Sequence, residues 1–535
     1  NRIDDIGVVE PKDRIGLRLR EIGINELNEF LDDQIYTLDV EMWDIGTRAA
    51  RERKISEIET YIVKNNGEIF DRYLGPSITM IRTQVGGAIV RVLLTVPEIS
   101  SIDLPPTPDF EADNIQEMAL DDLPIISPVD PNAPIIGILD SGINHHPLLE
   151  DVLVDALAFP EELGTADVLG HGTRVGGVAV FGDIRDQVAL SGFSKSVRLI
   201  SAKVVDDHGK FYERRTLPSQ MDTAIRHLRK NYNCRIFVIS LGDNKAANKS
   251  GRVGPWAATL DELSRELDVL IVVSAGNRSP RGGTHLEQAV TDYPDYLLES
   301  TNGIFEPAGA VNVLTAGSLA RENGIGQEHK NDAHIQPITE PLEPSPFTRI
   351  GPGAGGAMKP DLVDLGGTMI FDAATARLRQ APDVPSAGLL TLNNKFLMQL
   401  FNSGSGTSFA APMIARKAGL ILGRYPEASS NLLRALLVGA ARVPEPCERI
   451  LPQIDPSAIE KICGNGLVDP ELAAYSDDHR VVLVTEDELD IDHFAVYRVP
   501  IPEPFQNGGQ RTIRVTLAFD PPVRRPRADY MGTRM

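Results

Sequence analysis

The sequence predicts an α/β protein whose main domain is a doubly wound parallel sheet. From Ala133 onward, short apolar runs typical of buried parallel strands alternate with segments of helical spacing. Residues 35–104 mix both patterns and predict a small N-terminal α+β domain, and the alternation after His479 predicts a β-rich C-terminal piece. The predicted boundaries are 1–104 for the N-terminal domain, 105–132 for an acidic, proline-rich linker, 133–476 for the main domain, and 477–535 for the β-rich piece, which we expect to be truncated.

The N-terminal domain is predicted from five elements. Alternation of apolar and polar residues over 35–44 predicts a strand, and the helical spacing of Ile55, Ile58 and Ile62 predicts an amphipathic helix. The remaining elements are a strand around 78–85, a short apolar helix over 88–94 and a strand over 98–103. The sequence from 105 to 134 then has the proline-rich, acidic composition of a linker.

The main domain alternates strands and helices, as a parallel sheet covered on both faces requires. The predicted strands are 135–140, 197–205, 235–241, 269–274 and 311–316. The predicted helices are 172–180, 217–231, 256–267, the segment after Ser408, and 431–441. In the β-rich piece the predicted strands are 481–484, 494–499 and 512–519, with a turn at Asn507, Gly508 and Gly509.

The charge of the chain argues against two classes of partner. Its 535 residues include 53 Lys and Arg against 75 Asp and Glu, which gives a formal net charge of −22. Neither nucleic acid nor an anionic membrane attracts such a surface. Between Arg91 and Arg174 there are 16 acidic residues and no Lys or Arg. We interpret this stretch as a solvated linker, with calcium binding or attraction of basic peptides as alternatives.

Cysteine usage and hydropathy favour a cytoplasmic location. The three cysteines, Cys234, Cys447 and Cys463, form no Cys-x-x-Cys or Cys/His spacing, so neither a disulfide scaffold nor structural zinc is expected. No stretch approaches 18 apolar residues, and the first thirty residues show no signal-peptide pattern. Because the chain begins at Asn1 rather than Met, the question of a leader stays open.

Four polar residues stand where chemistry is expected in such a sheet. Asp140 ends the first strand of the main domain, and His171 lies between two glycines at a helix start. Asn277 follows another strand, and Ser408 lies in the run Gly-Ser-Gly-Thr-Ser before an apolar helix. Each residue taken singly also fits a structural role, as a loop cap, a helix-start histidine, a turn residue or a helix cap.

Together, the four residues supply what acyl transfer needs. That reaction takes a nucleophile, a base, a group that orients the base, and donors for the developing oxyanion. Ser408, His171, Asp140 and Asn277 match those four requirements in turn. The joint occurrence of all four outweighs the structural reading of each.

The order Asp140, His171, Asn277, Ser408, with its flanking residues, resembles the subtilisin-like serine peptidases (subtilases, peptidase family S8). The resemblance covers about residues 133–475. It implies a polypeptide substrate and a catalytic triad of Asp140, His171 and Ser408. Asn277 and the Ser408 N–H would hold the oxyanion, and no cofactor would be required. The substrate would add as a strand to the backbone of two segments, which are Ser240, Leu241, Gly242 and Ser274, Ala275, Gly276.

The sequence also departs from the family pattern. Asn144 stands where the family often has aspartate, and Asp243 replaces a frequent glycine beside the substrate strand. Asp243 suits either a solvated loop or a basic substrate residue. Insertions at about 279–305, 321–345 and 368–400 are expected to decorate the rim of the cleft, where specificity would be set. Structural calcium is common among relatives, but no twelve-residue calcium loop occurs, and the acidic cluster 486–492 lacks the required glycine and terminal glutamate.

The N-terminal domain resembles the inhibitory propeptide of the family, a βαββαβ-like unit whose tail enters the cleft. That resemblance predicts a latent enzyme. Pro105 and Pro106 disfavour cleavage directly after Leu104, so cutting would occur later in the linker or the domain would stay attached. The layout also resembles cytoplasmic bacterial subtilases that act beside an AAA-type ATPase in defence or plasmid-stability modules, which makes such an ATPase an expected partner.

Two rival functions follow from other features. Gly351, Gly353, Gly355 and Gly356 form a glycine-rich loop, as in nucleotide-binding proteins. However, no Gly-x-x-x-x-Gly-Lys-Ser/Thr run occurs, and this loop leads to Lys359 and Pro360 rather than into a helix. The second rival is an inactive binding scaffold on the same fold, which the presence of all four site residues disfavours.

Overall fold

The structure is a computed structural model of the chain. It describes residues 9–32, 34–43, 45–75, 79–105, 123–190, 192–247, 253–278, 287–326, 329–476, 480–490, 492–499, 512–524 and 530–532. The chain divides into two compact units, Asn1–Asp109 and Phe110–Met535. Among the described residues, no helix combines the length and the apolar character that a membrane crossing needs.

The N-terminal unit is a four-stranded antiparallel sheet with helices, of which the sequence predicts three strands and two helices. Its helices are α1 (Leu17–Glu21), α2 (Arg48–Lys64) and α3 (Gly87–Leu94). Its strands are β1 (Ile35–Met42), β2 (Glu68–Leu74), β3 (Thr79–Gly86) and β4 (Ile99–Asp103). The strand order is β2-β3-β1-β4, and from β1 onward the elements follow one another as βαββαβ.

One apolar core holds this unit together. The isoleucines Ile55, Ile58 and Ile62, spaced at helical intervals on α2, are buried against the sheet, and α2 begins where the Thr47 side chain accepts a hydrogen bond from the Ala50 N–H. The sequence pattern does not predict β2. Most of its side chains are exposed, because it forms an edge of the sheet, so it lacks the alternation that identifies a half-buried strand.

The second unit carries many more elements. Its helices are α4 (His171–Phe181), α5 (Ile184–Ala189), α6 (Leu217–Tyr232), α7 (Pro255–Leu267), α8 (Gln288–Thr291), α9 (Thr407–Arg424), α10 (Ser430–Ala440), α11 (Glu445–Ile450), α12 (Ala458–Cys463) and α13 (Pro470–Ala474). Its strands are β5 (Ile125–Ile126), β6 (Ile135–Asp140), β7 (Leu153–Ala158), β8 (Gly192–Phe193), β9 (Arg198–Lys203), β10 (Ile236–Ile239), β11 (Asp243–Ala247), β12 (Leu270–Ser274), β13 (Phe305–Glu306), β14 (Leu314–Leu319), β15 (Ile335–Pro337), β16 (Leu362–Leu365), β17 (Ile370–Asp372), β18 (Arg377–Arg379), β19 (Leu389–Leu392), β20 (Phe401–Gly404), β21 (Ala441–Arg442) and β22 (Leu467–Val468).

A sheet of nine strands forms the centre of this unit, in the order β21-β22-β16-β14-β12-β10-β6-β9-β7. Every pairing is parallel except that of the edge strand β21 with β22. Side chains of one parity, such as Ile138 and Val238, pack with α4, α9 and α10, whereas Leu139 and Ile239 pack with α6 and α7. The sheet is therefore covered on both faces, which confirms the doubly wound α/β prediction.

Four strands of the sheet, β7, β16, β21 and β22, are not predicted by the sequence pattern, and in β7 and β16 a charged residue interrupts the apolar run. On β7, Asp155 accepts a hydrogen bond from the Tyr232 hydroxyl at 2.5 Å. On β16, Asp364 is buried and pairs with Lys417 of α9 at 2.5 Å. A carboxylate inside an apolar run is typical of a loop. It is compatible with a buried strand only when a residue distant in sequence, here Tyr232 or Lys417, pairs with it.

The last part of the predicted linker, residues 123–132, packs within the second unit. Residues 106–122 lie outside the described part, but the next segment belongs to the second unit. There β5 pairs in parallel with β8, and Val129 is buried in the main core. The short pairing and the packing of Leu123, Ile126 and Val129 against the main core attach this stretch to the second unit, although composition alone assigned it to a linker.

The predicted C-terminal strands form no ladder within the described residues. The turn at 507–509 lies outside them, and the segments 481–484, 494–499 and 512–519 have no strand partner among them. The physical reason is that their apolar residues remain largely exposed, for example Val496 at 77% and Val515 at 85%. Further on, a single bridge joins Val523 to Met531.

Candidate active site

Asp140 is the last residue of β6 and lies at the carboxyl edge of the central sheet. It is buried, with 1% of its surface exposed. Its Oδ1 accepts from His171 Nδ1 at 2.7 Å and from the Ser141 N–H at 2.8 Å. Its Oδ2 has no hydrogen-bond partner among the described residues, so the charge of Asp140 is compensated mainly at His171.

His171 is the first residue of α4. The preceding Gly170 has φ 74°, in the left-handed region that favours glycine, and this turn aims the imidazole at Asp140. The side chain keeps 27% of its surface exposed, and its ring lies 6.1 Å from that of Phe409, centroid to centroid. One ring nitrogen is thus fixed on a carboxylate while the ring still meets solvent.

The electrostatics around His171 favour its charged form. Burial disfavours the charged imidazolium and lowers the pKa of His171, and the positive charge of Arg174 lowers it further. The charge and the hydrogen bond of Asp140 outweigh both, with a smaller contribution from Asp167, so the pKa of His171 is raised above its ordinary value of 6.5. An imidazole in this setting readily accepts a proton from a neighbouring hydroxyl.

A second buried carboxylate, Asp167, organises the loop before α4. Its Oδ1 accepts from Ser141 Oγ and from the Gly170 N–H, both at 2.8 Å. Its Oδ2 accepts from the N–H and the hydroxyl of Thr173, at 2.8 and 2.6 Å. Burial raises the pKa of Asp167, these donors lower it, and the nearby charge of Asp140 raises it further, leaving it above its ordinary value. The sequence analysis missed this residue, which stands in an ordinary acidic loop.

The hydrogen bonds of Asn144 explain why asparagine stands at a position where the family often has aspartate. Its Oδ1 accepts from the Asp167 N–H at 2.7 Å, and its Nδ2 donates to the Asp167 carbonyl at 3.0 Å and to the Asn394 carbonyl at 3.2 Å. An ionised aspartate has no donor for those carbonyls. Since Asn394 lies within the predicted insertion 368–400, that insertion reaches the candidate site.

Ser408 lies in the first turn of α9, where backbone N–H groups have no helical acceptor. Its Oγ donates to the Ser240 carbonyl at 3.2 Å. Conversely, Ser240 Oγ donates to the Ser408 carbonyl at 2.8 Å, because Pro412 lacks the N–H that would occupy this carbonyl in a regular helix. Within the described residues no hydrogen bond joins Ser408 to His171, so the structure brings Asp140 and His171 together but does not show the Ser408–His171 contact.

Asn277 is oriented by Thr407, a residue that the sequence analysis did not single out. Asn277 Oδ1 accepts from the Thr407 N–H at 2.9 Å and from its hydroxyl at 3.1 Å. The same hydroxyl accepts from the Gly276 N–H at 3.1 Å. With Oδ1 engaged in this way, Nδ2 is left facing Gly406, where an added Cβ would lie 3.0 Å from it. Gly406 keeps that space open beside Ser408.

Arg349 fixes the backbone of Asn277 from the other side. Its Nε donates to the Asn277 carbonyl at 3.0 Å, and its guanidinium lies 3.6 Å from the centroid of the Phe305 ring. Burial, together with the charge of Arg278, lowers the pKa of Arg349 to about 10. No motif in the sequence marks this arginine.

The two predicted substrate-binding segments differ in which of their backbone hydrogen-bonding groups are occupied. The backbone of Leu241 and Gly242 lies outside any strand, and no hydrogen bond ties it to another described residue. In the other segment the Ala275 N–H donates to the Ala316 carbonyl at 2.9 Å, and the Gly276 N–H is occupied by Thr407. The backbone groups of Leu241 and Gly242 are therefore open, whereas the N–H groups of Ala275 and Gly276 are occupied.

Neither metal nor cysteine chemistry is evident in the described part of the chain. No group of three or more His, Cys, Asp or Glu side chains is arranged there to hold a metal ion. Cys234, Cys447 and Cys463 are all buried and form no disulfide. Burial raises the pKa of the Cys234 thiol to about 12, so this thiol is not activated as a nucleophile.

Comparison with family models identifies the class of this chain. Residues 132–466 match the model of the subtilase family, and residues 13–104 match a model described as the Y4kK central domain. The chain belongs to the subtilase family and is a serine-type peptidase by class. The family match begins within one residue of the boundary predicted for the main domain, and the second match falls within the N-terminal unit.

Several curated proteins are similar to the chain. An uncharacterized protein y4bN of Sinorhizobium fredii is 58% identical over 320 residues, covering 60% of this chain and 74% of that protein. Protein y4kK of the same organism, also uncharacterized, is 49% identical over 151 residues, 28% of this chain and 48% of its own length. Mycosin-4 of Mycobacterium tuberculosis is 26% identical over 362 residues, covering 64% of this chain and 65% of its own length. The chain thus spans less than two thirds of the last two relatives.

Two solved structures also align with the chain. A protein described as S41 psychrophilic protease aligns at 20% identity with a TM-score of 0.39, covering 62% of this chain and 88% of its own. MycP1 with its N-terminal propeptide removed aligns at 19% identity with a TM-score of 0.38, covering 64% of this chain and 91% of its own.

Proposed function

We propose that this chain is an endopeptidase that hydrolyses peptide bonds through an acyl-enzyme formed on Ser408, with His171 as the base and Asp140 as its orienting carboxylate. The observation that carries the proposal is the 2.7 Å hydrogen bond between His171 Nδ1 and Asp140 Oδ1. That bond fixes the tautomer in which the other ring nitrogen, Nε2, is free to accept a proton.

In the first step the Ser408 hydroxyl leaves the Ser240 carbonyl, to which it donates at rest, and donates instead to His171 Nε2. The exchange calls for rotation of the Ser408 side chain, and catalytic hydrogen bonds are often incomplete without substrate. As Oγ attacks the scissile carbonyl, its proton passes to Nε2 and the carbonyl oxygen becomes an oxyanion. The raised pKa of His171 favours that transfer.

The oxyanion is stabilised by two donors, Asn277 Nδ2 and the Ser408 N–H. Thr407 holds the Asn277 amide with its oxygen turned away and its nitrogen toward the site. When the tetrahedral intermediate collapses, the C–N bond breaks and Nε2 returns the proton to the leaving amine. Water then attacks the acyl ester with His171 again accepting a proton, which releases the acid and restores Ser408.

The substrate would lie as an extended strand along Leu241 and Gly242. Their backbone groups are open, and Gly242 has no side chain to obstruct a peptide. Main-chain recognition of this kind is independent of substrate sequence, so the side-chain pockets must supply the selectivity.

Latency is a second part of the proposal. The N-terminal unit has the βαββαβ order expected of an inhibitory propeptide, and it forms a compact unit of its own. We expect removal of residues 1–104 to increase the rate at which Ser408 reacts. Electrophoresis of the wild type beside Ser408→Ala tests self-processing, since equal full-length bands in both would exclude it.

Labelling with a fluorophosphonate probe tests the enzyme itself. Such probes acylate activated serines, so the wild type, or the variant without residues 1–104, should be labelled, whereas Ser408→Ala should not. Ser405→Ala is the matched control, because it removes a hydroxyl from the same loop and should still label. Absence of labelling in every form would defeat the hydrolase proposal in favour of an inactive scaffold.

A further inference from the structure

The two segments beside Ser408 leave the sheet as neighbours. Strands β10 and β12 are paired in parallel, with Ile239 opposite Val273, so 240–242 and 274–276 extend from adjacent strand ends. Both touch the nucleophile's turn, the first through the Ser240 carbonyl and the second through the Gly276 N–H. A pocket for a substrate side chain would be expected between them, beside the attacked carbonyl.

The side chain of Phe305 occupies that gap. A Cβ placed on Gly276 would lie 2.5 Å from Phe305 Cδ2. A Cβ placed on Gly242 would lie 3.4 Å from Phe305 Cβ and 3.8 Å from Cδ2. The ring therefore lies against the backbone of both segments and spans the distance between them.

Phe305 is held there by its backbone and by a buried cation. Its N–H donates to the Ala275 carbonyl at 3.2 Å, and β13, which contains it, pairs with β11. The guanidinium of Arg349, with only 9% of the residue exposed, lies 3.6 Å from the ring centroid. Arg349 is itself fixed by donating to the Gly303 carbonyl at 2.9 Å.

The neighbouring residue adds a second anchor. Glu306 Oε1 accepts from the N–H groups of Trp256 and Ala257 at 2.7 and 3.1 Å, at the first turn of α7. A carboxylate at this position stabilises the helix start and ties β13 to the core of the domain. The backbone that carries Phe305 is therefore fixed on both sides, and moving the ring out of the gap would break its contact with Arg349.

We propose that Phe305 closes the pocket for the substrate side chain on the acyl side of the scissile bond, so that the enzyme cleaves after glycine, alanine and serine and excludes aromatic residues. This inference rests on the proposed peptidase function. With the oxyanion held at Asn277 and the substrate chain along Leu241 and Gly242, that side chain points into the gap that Phe305 fills. A closed apolar pocket discriminates by size, and we expect a preference of about 10²-fold for alanine over phenylalanine in kcat/KM.

The wild-type protein alone gives the first test. A library of unfolded peptides is digested, and the residue preceding each new cut is identified by mass spectrometry. Enrichment of glycine, alanine and serine with depletion of phenylalanine, tyrosine and tryptophan supports the inference. Cleavage after aromatic residues at a comparable rate overturns it. Fluorophosphonate labelling in parallel separates the two proposals, because a protein that labels but cuts after aromatics contradicts only the pocket, whereas one that neither labels nor cuts contradicts both.

The second test opens the pocket with Phe305→Ala. Using tetrapeptide p-nitroanilides that differ only in the last residue, the ratio of kcat/KM for phenylalanine over alanine should rise at least tenfold in the variant. Tyr475→Ala, which removes an exposed ring next to Arg424, is the control and should leave the ratio unchanged. A Phe305→Ala protein that labels with the fluorophosphonate yet keeps the wild-type ratio would overturn the inference.

Discussion

In one half of the candidate site Asp140 and His171 are already joined and surrounded by hydrogen bonds, whereas in the other half the Ser408 hydroxyl is bonded to a backbone carbonyl. Asp167 alone receives four hydrogen bonds from Ser141, Gly170 and Thr173. Ser408 Oγ has one, to the Ser240 carbonyl. In the proposed mechanism the base is thus fixed in advance, and the nucleophile is the part that must turn.

This difference follows from the elements that carry the two halves. Asp140 and His171 lie on β6 and α4, and the loop between them is tied by Asp167 and Asn144. Ser408 lies on the first turn of α9, where a backbone turn rather than a network sets the side chain. In the proposed mechanism the side chain that turns is therefore the one held by a single hydrogen bond among the described residues.

Asn277, the proposed oxyanion donor, is the best-oriented side chain of the Ser408 half, and its loss should have the largest effect. Asn277→Ala removes the Nδ2 donor while leaving the Ser408 N–H in place. We expect kcat to fall by about 10² to 10³-fold with a small change in KM, because the donor acts on charge that develops only in the transition state. Steady-state kinetics on a peptide p-nitroanilide measures both parameters.

Thr407→Ser is the matched control for that experiment, since it keeps the hydroxyl that orients the Asn277 amide. Its kcat should stay within a few-fold of the wild type. If Asn277→Ala instead raises KM and leaves kcat unchanged, Asn277 binds the substrate rather than the oxyanion.

A second histidine, on the segment that follows β6, has backbone groups rather than a carboxylate as its hydrogen-bond partners among the described residues. His146 is buried, its Nε2 lies 3.0 Å from the Leu400 carbonyl, and its Nδ1 accepts from the Leu148 N–H at 3.1 Å. Burial lowers its pKa from 6.5 to about 4, although the Leu400 carbonyl opposes this shift. The neutral form therefore stabilises the fold above pH 6.5, and this contribution is lost as the pH falls from 6.5 to about 4. The loss amounts to about 3 kcal/mol of unfolding free energy.

Urea denaturation between pH 7 and 4 measures this dependence. His146→Gln keeps both a donor and an acceptor without titrating, so its unfolding free energy should fall less steeply over that range. The exposed neighbour His145 provides the control, and His145→Gln should follow the wild-type curve. If the unfolding free energies of the wild type and His146→Gln fall in parallel with pH, His146 is not the source of the pH dependence.

The fold was predictable wherever local pattern and tertiary environment agree. Strands such as β6 and β10 are buried on both faces and read as continuous apolar runs, whereas β7 and β16 contain Asp155 and Asp364, whose partners come from distant helices. The C-terminal alternation also predicts strands, but a strand needs a neighbour, and the described residues supply none for 481–484.

The candidate site was predictable only as far as its motifs extend. Asp140, His171, Asn277 and Ser408 each stand in a recognisable run, and the structure joins the first two directly. Thr407 and Arg349 act on Asn277, which is 130 and 72 residues away in sequence, so the sequence does not reveal these contacts although Thr407 stands inside a recognised run. Asp167 receives most of its hydrogen bonds from nearby Gly170 and Thr173, but nothing distinguishes it from the other acidic residues of its loop. Phe305 is the clearest case, because it lies at the end of an insertion and acquires its position only through β13 and Arg349.

We expect the smallest effect from a change at Asp167. This change tests whether Asp167 only holds the loop before α4 or also raises the pKa of His171. Asp167→Asn leaves one oxygen to accept where two did so, and unpaired donors at Thr173 or Ser141 should cost about 2 kcal/mol of unfolding free energy. The negative charge of Asp167 also helps to raise the pKa of His171. Its removal should therefore shift the acidic limb of the kcat/KM profile to lower pH, since a base with a lower pKa is deprotonated earlier. Asp155→Asn on β7, away from the site, should leave that midpoint unchanged. A loss of stability with an unmoved midpoint would restrict Asp167 to holding the loop.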